Sequence, residues 1–479
     1  MRKPTAFEGL IRAAATLVAV VASFGTTFAL CRWAEAQPAP AIVSAIIAIS
    51  LSRRAKRPNA SHPLLTFLAV ACVAPVAAGV AWLLHVVPIL GAAVFIAGMF
   101  ASIWLRNFGL RAAGIGALIA LPLVAILIVP ARAHAPGGPV VDLALIVAAG
   151  VVALLYVTVV QAIVGAIGRA PAAAPPVGPP QQRTPRAGMP IATRMALQMT
   201  VALGAAFLVG FLVFPGHWGW TVVTAFIVSS GARGRGDAAY KGVMRLIGAL
   251  GGTIGAGILA NLGAPSGPPE AALIFAVLFL ALWLRDYNYA YWAAAITLIL
   301  ALLARSGEVM SIALLGVRLE SILAGAVCAV VAAWFVFPIR TSDVIRRRLA
   351  DALLAFDELV AHAHAHVPES ERDQKRAIYE HRMNELESVA APVRWHRRLW
   401  RIAPDAEHPA HWIDLANRLR SHARALPPER YEDEGERTTV RRAIGISRRA
   451  IGNHGKADAS PEGPSISKAL ERLHDLLGR

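Results

Sequence analysis

The pentapeptide "WLRNF" at residues 104–108 returns almost unchanged as "WLRDY" at residues 283–287. Each copy closes the fourth of six successive apolar segments, one set on each side of a proline-rich stretch. Because a transmembrane helix needs about 20 mostly apolar residues, segments of this kind are candidate spans. The recurrence therefore indicates a membrane unit of six helices that occurs twice.

The composition places the chain among integral membrane proteins. Of its 479 residues, 56% are hydrophobic and only 16% are charged, whereas soluble domains carry about 25% charged residues. The mean hydropathy is +0.54. We therefore expect an all-α polytopic membrane protein of about twelve transmembrane helices.

The twelve apolar segments form two sets of six. They lie at residues 11–31, 38–51, 64–84, 86–104, 112–130, 141–167, 191–214, 218–231, 242–262, 270–284, 290–304 and 311–337. Segments 38–51 and 218–231 are short for a span. Since six is an even number, both sets insert in the same sense, as parallel repeats related by an axis along the membrane normal.

Further landmarks recur in the same order in the two sets. Each set opens on an arginine, has a basic turn after its second span, and has an acidic residue at its last span. The pairs are Arg12 and Arg194, "SRRAKR" (52–57) and "GARGRG" (231–236), and Asp142 and Glu320. An ordered series of this kind favours duplication more strongly than two pentapeptides alone.

The chain divides into four parts. Residues 1–168 and 191–338 are the two predicted six-helix repeats, joined by a proline-rich linker at 169–190. Such a composition is typical of an extended linker. Residues 339–479 are a predicted helical domain outside the membrane.

The C-terminal part carries the patterns of soluble helices. Residues 341–366, 371–400 and 411–425 are predicted to be helical, and the polar stretch 427–464 is predicted to be disordered. The last segment is a short amphipathic helix. Its apolar stripe is formed by Ile466, Leu470, Leu473 and Leu477.

The distribution of charge predicts the orientation. Up to Pro338 the chain has 22 Lys and Arg but only 8 Asp and Glu. The basic residues concentrate in alternate loops, so the positive-inside rule places both termini in the cytoplasm. Because these residues lie between spans, they do not indicate nucleic-acid binding. "MRKP" and the "AEA" at 34–36 also fit a cleavable signal peptide, but cleavage would remove the counterpart of segment 191–214.

No motif of an enzyme, a metal site or a cofactor site occurs. Cys31, Cys72 and Cys328 lack metal or redox spacing. The stretch "GALGGTIGAG" (248–257) lacks the Lys-Ser/Thr of a phosphate loop. Its glycines pair as Gly248 with Gly252 and Gly251 with Gly255, a small-xxx-small spacing that predicts close helix packing.

Charged residues inside spans are the strongest candidates for a site. Arg318 and Glu320 lie in "GVRLESILAG" (316–325), Arg245 opens the apolar part of span 242–262, and Asp286 lies at the end of span 270–284. A charge at the centre of the bilayer costs about 2.5–3.5 kcal/mol on insertion scales. These residues are either interfacial or structurally paired, or they form a site in which arginine attracts an anion and a carboxylate exchanges protons.

Aromatic residues cluster at two span ends. "FPGHWGW" (214–220) contains Trp218 and Trp220, and "DYNYAYW" (286–292) contains Tyr287. One interpretation is the aromatic belt of a membrane interface. The other is that some of these rings stack on a flat aromatic ligand.

The second half resembles the fusaric acid resistance (FUSC) membrane domain. The stretch "HWGWTVVTAFIVSSGARGRGDAAYKGVMRLIGALGGTIGAG" (217–257) has the Trp before a span and an Arg-Leu-x-Gly-x-x-x-Gly run from Arg245 to Gly252. A later Arg-x-x-x-x-x-x-Gly element corresponds to Arg318 and Gly325, the latter also a helix-packing candidate. The first half departs from the pattern, because "QPAPAIVSA" (37–45) has no Trp and no Arg-Leu-x-Gly run follows.

The resemblance implies an exporter of aromatic carboxylic acids in a bacterial inner membrane. Similar proteins work with a periplasmic adaptor and an outer-membrane channel, and homo-oligomers are compatible with the sequence. The leading hypothesis from the residues is proton-linked export of such anions. Arg318 and Arg245 would attract the carboxylate, Glu320 or Asp286 would carry the proton, and Trp218, Trp220 and Tyr287 are the candidates to stack on the ring. A passive anion channel and a scaffold that recruits a partner through the C-terminal domain remain alternatives.

Overall fold

The computed structural model describes residues 6–54, 76, 79–128, 138–166, 189–263, 267–305, 312–364, 367–399, 407–425, 433–453 and 464–478. Every regular element among these residues is helical, which confirms the all-α prediction. Most of the predicted span 64–84, the linker and the side chain of Asp142 lie outside this description.

Eleven of the described helices form the apolar part of the chain. They are α1 (Ala6–Trp33), α2 (Ala39–Arg54), α3 (Pro88–Trp104), α4 (Leu110–Ile128), α5 (Gly138–Ala166), α6 (Ile191–Val213), α7 (Trp218–Ser229), α8 (Arg235–Asn261), α9 (Pro268–Leu284), α10 (Tyr289–Arg305) and α11 (Ile312–Phe335). A 3₁₀ turn, Leu105–Phe108, follows α3 and contains most of the first pentapeptide.

Six helical segments in the described part of the chain are long and apolar enough to cross a membrane. They are Phe7–Trp33, Pro88–Phe108, Ala144–Ala166, Ile191–Val213, Arg235–Asn261 and Gly316–Phe335. Such helices imply a lipid bilayer around the protein. Four other apolar helices have 10–17 residues. One of them is α7, whose 12 residues extend only about 18 Å, which is less than a hydrocarbon core of about 30 Å.

The helices of the two halves make matching contacts. In the first half α1, α2 and α5 pack on one another, and in the second half α6, α7 and α11 do the same. The pairs α3–α4 and α9–α10 also correspond. The halves meet through α4 with α7 and through two corresponding pairs, α3 with α6 and α1 with α9. In each of these two corresponding pairs the fourth predicted span of one half contacts the first span of the other.

Backbone approach at three glycines fixes the second half. A Cβ atom on Gly248 would lie 2.5 Å from the Ala290 carbonyl oxygen, and one on Gly252 would lie 2.3 Å from that of Ala294. At Gly325 the Thr221 carbonyl oxygen is only 2.2 Å away. These contacts hold α8 against α10 and α7 against α11. Residue numbers rise together from Gly248–Ala290 to Gly252–Ala294, so α8 and α10 run parallel.

The second predicted glycine pair does not lie at a close helix contact. A Cβ atom on Gly251 would meet nothing within 4 Å, and the nearest atom to one on Gly255 is a Leu298 methyl carbon at 4.0 Å. The reason is geometric, because successive helix residues are about 100° apart. The face that carries Gly248 and Gly252 therefore turns Gly251 outward.

Six further helices form a separate apolar core after Pro338. They are α12 (Thr341–Ala361), α13 (Glu369–Glu387), α14 (Ala390–Leu399), α15 (Pro409–Ala425), α16 (Glu434–Asn453) and α17 (Ile466–Gly478). Phe356 and Trp412 lie at the centre of this core. The apolar stripe of α17 is buried in it, as its spacing predicts.

The expectation that residues 427–464 are disordered is wrong for helix α16. Val440, Ile444 and Ile451 are buried against α12 and α17, and Ser447 donates a hydrogen bond to the Ala469 carbonyl oxygen. The average polarity of the segment hid this stripe. Apolar residues at intervals of four and seven suffice to bury one helix face when two other helices supply the rest of the core.

The C-terminal core is attached to the membrane part at the turn between α7 and α8. The Arg235 amide donates to the Ile339 carbonyl oxygen at 3.0 Å, and the Gly236 amide donates to Thr341 Oγ1 at 3.1 Å. The rings of Tyr240 on α8 and Trp395 on α14 meet edge to face, 5.8 Å apart. Helix α8 is therefore held at its first turns by residues outside the membrane part.

We predict that Gly252→Ala and Gly251→Ala have opposite effects on stability. The first substitution places a methyl group against backbone and should destabilise the fold by about 1–3 kcal/mol. The second adds a better helix former in open space and should be neutral or stabilising by about 0.5–1 kcal/mol. Thermal unfolding of the purified full chain in detergent would measure both. Equal effects of the two substitutions would contradict the helix contact at Gly252.

Candidate functional site

Arg318 lies inside the second half, between α7 and α11. Its side chain is 7% exposed, and its guanidinium carbon lies over the Trp220 ring, 4.2 Å from the ring centroid. Gly325 lies two helical turns further along the same face of α11 and contacts Thr221. The backbone contact at Gly325 therefore places the first turn of α7, with Trp220, beside the arginine.

Arg245 lies on the face of α8 that packs against α10. It is 1% exposed, and it precedes Gly248 by three residues and Gly252 by seven, so all three share one face. Arg245 is close enough to Arg318 for their positive charges to repel one another. The fold thus brings the two arginines that the sequence singled out, 73 positions apart in the chain, within range of each other's charge.

The two guanidinium groups have buried N–H groups without acceptors. Within the described residues, Nε of Arg245 and both Nε and Nη2 of Arg318 are buried and make no hydrogen bond. Neither arginine forms an ion pair there. Buried charges are normally paired, and an unpaired buried ion carries a desolvation penalty of several kcal/mol. Positive charge without a counter-charge among the described residues is the defining property of this site.

Three threonine hydroxyls line the same helix interfaces. The Oγ1 atoms of Thr221, Thr224 and Thr297 are buried and make no hydrogen bond within the described part of the chain. Thr221 and Thr224 contact Gly325, and Thr297 contacts Gly252. These threonines were not among the candidates predicted from the sequence. The i, i+3 spacing in "TVVT" (221–224) was a signal for a polar strip on one face of α7.

The carboxylates expected to serve the site lie elsewhere. Glu320 is exposed on the outer face of α11 together with Leu323 and Val327, because two residues turn a helix by about 200°. Asp286 is 3.9 Å from Arg285 Nε and is exposed. Among the described residues, neither carboxylate pairs with Arg245 or Arg318. The predicted link between these arginines and a protonatable carboxylate is therefore not formed in this structure.

Only one of the predicted aromatic residues reaches an arginine of the site. Trp218 instead packs against Phe207 and Phe211, with ring centroids 5.6 and 5.4 Å away, and its Cβ lies over Gly210. Tyr287 is 56% exposed. Of the three predicted residues, Trp220 covers Arg318, Trp218 packs between helices and Tyr287 is exposed.

The arrangement favours the binding of an anion. Guanidinium N–H groups bind carboxylates and phosphates through charge-assisted hydrogen bonds, and these N–H groups are available between the helices. An indole ring over one face of the Arg318 guanidinium holds it by a cation–π contact, which is worth about 2 kcal/mol when desolvated. The edges of the guanidinium, where acceptors bind, are not used by that contact.

All of these residues lie in one contiguous region, from α6 to α11. Residues 201–332 match a family model described as fusaric acid resistance protein-like. The resemblance seen in the sequence is thereby confirmed for this fusaric acid resistance protein-like region. That family is one of membrane transporters, not enzymes. The chain matches no curated protein.

The fusaric acid resistance protein-like region contains the whole candidate site. Arg245, Arg318, Trp220 and the three contact glycines all lie within it. The C-terminal core and the first half of the chain lie outside the match. The protein is therefore a multi-pass membrane protein whose candidate anion site lies entirely in its transporter-like region.

We predict that Arg318→Met stabilises the protein. Replacing a buried, unpaired charge by an apolar side chain of similar length removes its desolvation penalty and its repulsion from Arg245, and exchanges of this kind gain about 1–4 kcal/mol. Arg285→Met is the matched control, because Arg285 lies near Asp286 and over Trp292, so that substitution should be neutral or destabilising. Thermal unfolding in a buffer of low anion content would measure both. A lower melting temperature for Arg318→Met would show that Arg318 is already paired.

Proposed function

We propose that this protein transports small organic anions across a membrane, with Arg245 and Arg318 as the charges that bind them. The observation that carries the proposal is a pair of buried guanidiniums that have no counter-charge in the described part of the chain, inside a region that matches a transporter family. A positive site between apolar helices excludes cations by repulsion. It gains most from a ligand that supplies the missing negative charge.

Aromatic carboxylic acids are the substrate class we propose. Their carboxylate suits the arginine N–H groups, and their ring suits a site that contains Trp220 within 4.2 Å of a guanidinium carbon. Fusaric acid, which the family description names, and hydroxybenzoates are acids of this kind. Aliphatic acids of equal charge should bind less tightly, since they forgo ring stacking.

The architecture that we propose is a pair of parallel six-helix repeats with twelve spans. The matching contacts of α1, α2 and α5 with those of α6, α7 and α11 support it, as does the recurrence of the pentapeptide. The first half lacks the Arg-Leu-x-Gly run, so we propose one anion site per chain.

The basic loops support cytoplasmic termini. The resemblance suggests a bacterial inner membrane, with a periplasmic adaptor and an outer-membrane channel as candidate partners.

The driving force for transport is a separate question from anion binding. Proton coupling through Glu320 or Asp286 was the hypothesis from the sequence, but both carboxylates are exposed and lie apart from the arginines in the described structure. We therefore propose anion transport in which the arginines bind the substrate. An uncoupler tests the coupling independently of the binding residues.

We predict that Arg318→Gln lowers efflux at least tenfold, whereas Glu320→Gln changes it less than about twofold. Loss of a charged hydrogen-bond donor costs about 1.5–3 kcal/mol, and about 1.4 kcal/mol corresponds to a factor of ten. The measurement is efflux of labelled 4-hydroxybenzoate from preloaded cells at equal membrane abundance of each variant, with empty vector as the baseline. Arg285→Gln provides the same charge change away from the site.

The possible results separate the parts of the proposal. Normal efflux in Arg318→Gln would remove Arg318 from the substrate path, and loss of efflux in Glu320→Gln would restore the carboxylate hypothesis. Loss in Arg285→Gln as well would point to a general effect of charge. If an uncoupler abolishes efflux in the wild type, a proton gradient drives transport. Flux that follows voltage alone would identify a passive channel.

A scaffold is the second candidate function, because the C-terminal core is well packed and contacts the first turns of α8. Truncation after Pro338 tests it. A scaffold that acts through its C-terminal helices loses its cellular effect on truncation, whereas a transporter whose site lies within residues 201–332 should retain measurable efflux. Abundance in the membrane must be matched, since the truncation removes the contacts of Gly236 and Tyr240.

A further inference from the structure

The arginine site poses a problem of charge at the step that follows substrate release. Two guanidiniums, 1% and 7% exposed, remain between apolar helices when an organic anion departs. Neither has a carboxylate partner among the described residues. Their mutual repulsion and their desolvation both disfavour a site without negative charge.

The surrounding packing does not let the arginines escape to the membrane surface. Gly325 holds α7 against α11, and Gly252 holds α8 against α10, at distances that admit no added Cβ atom. Trp220 lies over the Arg318 guanidinium. Arg318 is held in place in this way, and no described carboxylate neutralises it, so an anion that enters the site would supply the missing charge.

The unpaired groups of the site suit a small spherical anion. Three guanidinium nitrogens, Nε of Arg245 and Nε and Nη2 of Arg318, lack acceptors within the described residues. The hydroxyls of Thr221, Thr224 and Thr297, at the neighbouring glycine contacts, are also unpaired there. All of them can donate a hydrogen bond. The two guanidiniums come from different helices, and a spherical acceptor tolerates donors from both directions, whereas a planar carboxylate satisfies only those near its plane.

We propose that a small inorganic anion, with chloride as its simplest representative, occupies the Arg245–Arg318 site whenever the organic anion is absent. Transport then proceeds by exchange, in which one anion leaves the site as the other enters. This inference rests on the proposed function for its exchange step. The binding of the inorganic anion rests on the site alone, so the two parts are tested separately.

The first experiment tests binding without reference to transport. The melting temperature of the purified full chain in detergent is measured as chloride replaces the bulky sulfonate 2-(N-morpholino)ethanesulfonate at constant ionic strength. A ligand that binds only the folded state raises the melting temperature with the logarithm of its concentration. We expect this rise in the wild type and in Arg285→Gln, its loss in Arg318→Gln, and partial recovery in Arg318→Lys, which retains the charge.

The second experiment tests exchange with the wild-type protein alone. Proteoliposomes are loaded with labelled 4-hydroxybenzoate, and the membrane potential is held at zero with valinomycin and equal potassium on both sides. Exchange predicts at least tenfold faster efflux into external chloride than into external 2-(N-morpholino)ethanesulfonate. Liposomes without protein provide the baseline for each buffer.

Each outcome decides one part. Equal efflux into both buffers, above the baseline, overturns exchange and leaves the proposed transport function intact. If efflux does not exceed the baseline in either buffer, the result contradicts the proposed function for this substrate. The melting temperature then tests the chloride site independently of transport. A melting temperature indifferent to chloride in the wild type, or equally sensitive in Arg318→Gln, overturns the chloride site.

Discussion

Backbone contact at glycine is the constraint on which the second half of the membrane part depends. Helices in a bilayer gain no hydrophobic energy by associating, because lipid is as apolar as their side chains. Their association must come from close packing. Gly325 against Thr221, and Gly252 against Ala294, provide contacts closer than any side chain would permit. These contacts fix the relative rotation of four helices and therefore decide which residues face inward.

The same contacts hold two like charges together against their own repulsion. Arg245 lies on the face of α8 that includes Gly252, and Arg318 lies on the face of α11 that includes Gly325. Packing thus offsets an electrostatic cost that no protein carboxylate relieves in the described structure. An unpaired buried charge lowers the stability of the empty fold, but it raises the affinity of the site for a ligand that supplies the missing negative charge. This physical relation links the fold to the proposed transport of anions.

The C-terminal core adds a connection between the site and the region outside the membrane part. Helix α8 carries Arg245, and its first turns are held by hydrogen bonds to Ile339 and Thr341 and by the ring of Trp395. Displacement of that core would therefore act on the helix that bears one of the two charges. Helix α16 belongs to this core although its composition suggested disorder, because burial follows the position of a few apolar residues rather than the average of a segment.

The sequence by itself determined the class of the protein and the components of its site. Apolar runs predicted membrane helices. Arg245 and Arg318 stood out within them, because a charged residue in a membrane span costs free energy and is therefore rare unless it has a function or a partner. The tertiary structure decided which neighbours these arginines have. It selected Trp220 rather than Trp218 or Tyr287, and it turned Glu320 outward.

The physical reason is that neighbours in the site belong to different helices. Spacing along one helix shows which residues share a face, as it did for Gly248 with Gly252 and for Arg318 with Gly325. It does not show which helix that face will meet, because the partner is chosen by packing across long separations in the chain. That choice alone decides the contacts of Thr221 and Thr297. It also decides that no carboxylate among the described residues lies beside the arginines.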